Sequence, residues 1–166
     1  MILGIPTAIY TIIHVAISLI GIGTGFIVLY GLLNGKLLST WNFIFLVTTI
    51  LTSLTGFGYP NATITPGIVL GVLSIIVLGI AVLALYTFDL NGPWRRTYAI
   101  TAMIALYFNC FVLIAQSFGK VPALHALAPT ETEAPFKIAQ LLLLVVFAIL
   151  TSVAAKKFRS VPVQHL

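Results

Sequence analysis

The chain is predicted to be an all-α integral membrane protein, a bundle of five transmembrane helices forming one domain over residues 1–166. Three observations carry this. Of its 166 residues 60% are hydrophobic and 7% charged, and the mean hydropathy is +1.17; an ordinary soluble domain carries about a quarter charged residues. Five apolar stretches each approach the roughly 20 residues that a helix needs to cross a bilayer. None shows the apolar–polar alternation of barrel strands, so helices are the means of satisfying their backbone hydrogen bonds in lipid.

The first span is Ala8–Leu33. His14, Ser18, Gly21 and Gly25 fall on one helical face, and Gly21 with Gly25 forms a GxxxG pair that suits close helix contact. His14 should therefore look into the bundle, because lipid offers its ring nitrogens no partner. The "GIGTG" within this span follows no strand, so it is packing surface and not a nucleotide loop. The first basic residue is Lys36, so the charged n-region of a signal peptide is missing and the segment is expected to be retained.

After "NGK" the second span, Leu38–Phe57, places Thr48, Thr52 and Thr55 on one face with Thr49 and Ser53 beside it. The third, Pro66–Phe88, opens with the small pair Gly67 and Gly71. The connector before it contains "NAT" at residues 61–63, a glycosylation acceptor meaningful only in a eukaryotic secretory pathway. The fourth, Tyr98–Phe118, follows "DLNGPWRR" and carries Ala102, Ala105, Asn109 and Gln116 along one stripe. Its Cys110 is the sole cysteine, which excludes an intramolecular disulfide and reads as an inert buried thiol.

Residues 119–134 form the longest connection. "VPALHALAP" (Val121–Pro129) is apolar and bracketed by prolines, as suits a short helix or turn at the interface. "TETEAPF" follows, where Thr132 and Glu133 are placed to cap the fifth span, Pro135–Ala155, and complement its dipole. Gln140 lies near the start of that span.

Basic residues choose the direction. Lys36, Arg95, Arg96, Lys156, Lys157 and Arg159 fall on one side; Lys120 and Lys137 fall on the other with Glu131 and Glu133. Lysine and arginine concentrate in cytoplasmic loops, so the N-terminus is expected outside and the "KKFR" tail inside, with Trp41 and Trp94 at the inner border. The formal charge of +5 is thus explained by topology. No nucleic-acid partner is expected, since the cations form no phosphate-tracking stripe.

Most polar side chains lie in the outer half of the membrane, which favours an outward-opening pocket over a full-length pathway for a charged solute. The expected ligand contacts are His14, Thr52, Asn109, Gln116, His125 and Gln140, with the Val121–Pro129 loop as a cover. The ligand expected is a small hydrophobic or amphipathic molecule such as a quinone or lipid. No catalytic arrangement stands out. The plainer reading is that the threonines bond their own helix backbones and the amides join helices. Three alternatives remain. An accessory subunit or homo-oligomer would use Gly21/Gly25 and Gly67/Gly71 as contact surfaces. A redox protein would hold a metal at His14, His125, Glu131 and Glu133, or haem between His14 and His125. A small-solute transporter is disfavoured by the apolar inner half.

"FNCFVLIAQSFGKVPALHALAPTETEAPF" (Phe108–Phe136) and "IHVAISLIGIGTGFIVLYGLL" (Ile13–Leu33) resemble segments of small bacterial inner-membrane proteins of unassigned activity. The resemblance implies a bacterial cytoplasmic membrane with a periplasmic outer face, and it transfers no catalytic role.

Overall fold

A computed structural model describes residues 2, 4–60 and 65–159. It contains α1 (Thr7–Leu33), α2 (Ser39–Gly56), α3 (Pro66–Val82), α4 (Trp94–Lys120), the short α5 (Pro122–Leu127) and α6 (Ala134–Arg159). Four helical segments are long and apolar enough to cross a membrane: Thr7–Leu33, Pro66–Thr87, Trp94–Lys120 and Ala134–Phe158. The protein is therefore a small all-α bundle with four candidate membrane spans, whose outer surface is in contact with lipid. Exposed Leu141, Leu142, Leu144, Val145 and Val146 on α6 show what that surface is made of.

The span ends differ from the sequence expectation, and the differences have causes. α2 occupies residues 39–56 of the expected 38–57. It carries so many threonines and serines among its 18 residues that it falls outside the apolar set. The regular part of α3 stops at Val82, and Leu83–Thr87 widens into a π-helical turn, in which Phe88 N–H donates to Leu83 O at 3.0 Å. α4 starts four residues before the expected Tyr98 because Trp-Arg-Arg-Thr is polar without being helix-breaking. Pro93 stands just ahead of its first turn, where a missing N–H costs nothing. α6 likewise runs past Ala155 through "KKFR" to Arg159.

α4 is the central helix, with half of its apolar window buried against 28% for α1 and 22% for α6. Neighbours α1, α2, α3, α5 and α6 all pack on it. Ala99, Ala102 and Ala105 are fully buried along it, and their small side chains let the other helices approach. The α1–α2 contact uses the glycine pair: a methyl on Gly25 would stand 2.9 Å from the Phe45 ring, and one on Gly21 would stand 3.2 Å from Thr48 Oγ1. Gly71 faces the Phe57 ring, but Gly67 is exposed and approaches only Thr65 of the preceding cap. The expected Gly67 packing contact is therefore not formed; Gly67 sits in the first turn of α3, above the level at which α2 and α3 meet.

The two ends of the bundle differ. Toward the end bearing Lys36, Arg96 and Lys156, the core is dry and closed by Val28, Leu32, Phe45, Leu78, Met103, Leu106 and Phe158. Its polar insertions include a buried hydrogen bond from the Tyr98 hydroxyl to Asn42 Oδ1 and the Thr101 hydroxyl, which bonds its own helix backbone. Toward the N-terminal end the helices separate.

Candidate functional site

That separation opens a cavity of about 740 Å³ among α1, α2, α3 and α4. Its α1 wall presents Thr7, Thr11, His14 and Ser18 at spacings of four, three and four, then the apolar Leu19 and Ile22. Thr52, Ser53 and Gly56 come from α2 and Ile68, Gly71 and Ser74 from α3; Phe108, Asn109, Val112, Leu113, Gln116 and Lys120 line the α4 side. Thr7 to Ile22 spans about 22 Å at 1.5 Å per residue, so the cavity reaches from the helix ends toward the middle of the bundle. About one turn beyond Ile22 on α1, the tight Gly25–Phe45–Leu106 contact closes the interior.

His14 is fixed in the wall. Its Nδ1 is 2.7 Å from Thr55 Oγ1, and the Tyr59 ring meets it edge-on at a centroid distance of 5.6 Å. Tyr59 in turn meets Tyr10 edge-on at 5.4 Å and donates from its hydroxyl to Thr11 Oγ1 at 3.1 Å. The Tyr10 hydroxyl donates to Thr55 O at 2.8 Å. These contacts tie the first turns of α1 to the end of α2 and the connector after it.

The hydroxyls behave as the plainer sequence reading has them. Thr48 donates to Ile44 O, Thr52 to Thr48 O and Thr55 to Leu51 O, at 2.7, 2.8 and 2.7 Å. The Asn109 amide instead bridges out of its helix toward α2, with Nδ2 at 3.5 Å from Thr49 Oγ1.

Of the residues expected to gather, His14, Thr52, Asn109 and Gln116 line one cavity. Gln140 does not: it is buried on the other side of α4, where its Nε2 donates to Phe111 O at 3.1 Å. It joins α6 to α4. His125 is exposed on α5 and lies outside the cavity lining; of the Val121–Pro129 segment, Val121 alone is in that lining. The connection after α4 is braced by its own hydroxyls and carboxylate. Thr130 donates to Glu133 Oε1 at 2.8 Å, and the N–H groups of Thr130 and Thr132 donate to the same carboxylate. The Glu133 carboxylate thus closes the turn before α6 in place of capping its N–H groups. These bonds, the Thr130 hydroxyl first, hold the Glu133 carboxyl below the usual carboxylate range. Among the described residues, no group of three or more His, Cys, Asp or Glu is close enough to hold a metal. His14, His125, Glu131 and Glu133 are accordingly not assembled. The 61–63 glycosylation triplet and His165 lie outside the described residues.

Tyr10, Tyr59, Ser74 and Lys120 were not anticipated. Tyr10 stands one turn before His14 on the same face, a spacing that could have revealed it. Tyr59 reaches the site through a chain connection that no periodicity reports, whereas Lys120 follows Gln116 by one turn on α4.

Comparison with family models, curated proteins and solved structures finds no match for the chain. The likeness to small bacterial inner-membrane proteins therefore reduces to its coarser content, a small helical protein with four candidate membrane spans.

Proposed function

We propose that the protein crosses the membrane five times and binds a small amphipathic molecule, a quinol or a lipid, in the cavity among α1–α4. In this reading α2, about 27 Å long at 1.5 Å per residue, is the fifth span. It is nearly long enough for a hydrocarbon core of about 30 Å, and α1, α3 and α4 shield its hydroxyls. The cation-rich end faces the cytoplasm, so the cavity opens outward, to the periplasm if the membrane is the bacterial inner one.

The observation that carries the reading is the cavity's lining: apolar walls interleaved with polar groups from Thr7 to Ser18 on α1 and from Asn109 to Lys120 on α4, a mixture that suits a small amphipathic molecule. The chemistry of His14 adds a preference. A hydroxyl has one proton; with that of Thr55 on Leu51 O, Oγ1 accepts from His14 Nδ1–H. That tautomer leaves Nε2 as a lone-pair acceptor, which favours a ligand that offers a hydroxyl. Gln116 and Lys120 supply donors for a second oxygen.

The test is calorimetric titration of a short-chain hydroquinone, and separately of a lysophospholipid, into the detergent-solubilised protein. One of them should bind saturably, and His14→Phe should weaken it about fivefold, the worth of one hydrogen bond. Saturable binding of neither would overturn the proposal.

A further inference from the structure

We infer that a second groove, between α4 and α6, holds one anionic phospholipid of the leaflet at the cation-bearing end. This groove has a volume of about 470 Å³ and is separate from the cavity among α1–α4. Arg96 and Lys156 stand together at one end of it. From there α4 contributes Ile100, Met103 and Tyr107 at spacings of four, three and four. The antiparallel α6 contributes hydroxyls at Thr151 and Ser152, then apolar side chains. The charged groups are thus confined to one end, and the deeper lining is apolar or aromatic, with the Tyr107 hydroxyl as its one polar atom among the side chains that line it.

The dimensions select the occupant. Arg96 to Tyr107 is about 16 Å along the helix, and one leaflet of the hydrocarbon core is about 15 Å deep. A phosphate at the level of Arg96 and Lys156 leaves an acyl chain lying along the groove to the middle of the bilayer. A free anion would use the cations and none of the apolar length. Basic pockets between membrane helices bind anionic headgroups for the same electrostatic reason. Arg95 strengthens the local positive potential: its guanidinium carbon lies 4.9 Å from the Phe158 ring centroid, facing α6.

The experiment is native mass spectrometry of the full chain after incubation with phosphatidylglycerol or phosphatidylcholine of identical acyl chains. One phosphatidylglycerol should be retained under activation that strips phosphatidylcholine. Arg96→Gln and Lys156→Gln should each lower its retention about fivefold. Ala148→Leu, at an exposed groove position, should lower it with no change of charge. Lys137→Gln, exposed at the opposite end of α6 and in neither lining, should leave it unchanged. Excess inorganic phosphate should not displace the lipid. Equal retention of the two lipids, equal loss in Lys137→Gln, or displacement by phosphate would each overturn the inference. Thermal transitions like that of the unaltered chain confirm that the variants are folded, and neither Arg96 nor Lys156 is buried.

Discussion

Tyr98 and Asn42 form a buried pair in the closed half of the bundle. A phenylalanine at position 98 keeps the ring and removes the donor, leaving Asn42 Oδ1 without its partner in a dry environment. Tyr98→Phe should therefore cost about 1–3 kcal/mol, the penalty of an orphaned buried acceptor, measurable by thermal or denaturant unfolding in detergent. Glu133 gives a pH-dependent counterpart at the surface. Its carboxyl titrates below the usual carboxylate range of about 4.5, so the stabilisation it provides is fully present above that value. It is lost as the pH falls through the lowered one. Amide exchange at Thr130 and Thr132 should accelerate as the pH is taken down through that window, after correction for the intrinsic rate. In Glu133→Gln the corrected rate should not change with pH. His14 was legible as an inward-facing residue because an imidazole among small residues on one helical face has nowhere else to find a partner. Gln140 was legible as buried, but not as lying on the far side of α4. The side of a bundle on which a helix sits is decided by packing between helices, and local spacing carries no record of it.

At the scale of elements, the α1–α2 contact depends on glycines at two levels. Phe45 and Leu106 occupy the space in front of Gly25, whereas Gly23 is exposed and faces nothing within 4 Å. Gly25→Ala should destabilise the bundle by about 1–3 kcal/mol through overpacking. Gly23→Ala should be neutral or slightly stabilising, so the difference between their melting temperatures reads the contact directly. The GxxxG spacing announced this surface, and Gly67 with Gly71 shows how such a signal can mislead. The same spacing recurs there, yet Gly67 falls in the first turn after Pro66, before the helices converge. Helix ends were the least legible elements for a related reason. Hydropathy stops where charges begin, but the Trp-Arg-Arg-Thr and Lys-Lys-Phe-Arg segments continue as helix. The exposed cationic side chains of Arg96, Lys156 and Lys157 can reach out of the apolar layer while the backbone stays inside it. The threonine-rich α2 shows the converse: its hydroxyls bond to the preceding turn, so a helix of modest hydropathy can still lie deep in the bundle.

The whole molecule divides into a sealed half and an open half along the membrane normal, and the polar inventory of the sequence foreshadowed the division. On the side of the bundle where α1 begins, His14, Thr52, Asn109 and Gln116 surround one space, and beyond them Gly25, Phe45 and Leu106 close the interior. A pocket that opens at one end follows from this arrangement, and a ligand held in it should survive gentle extraction. Native mass spectrometry of the freshly extracted protein tests this most directly. Besides any phospholipid in the α4–α6 groove, the unaltered chain should carry a non-covalent amphipathic adduct that disappears in Leu19→Trp, which fills the cavity. The same adduct should persist in the Arg96→Gln/Lys156→Gln double variant, whose changes lie in the other groove. An unaltered chain with the same adducts as Leu19→Trp would contradict the assignment of the cavity as a binding site.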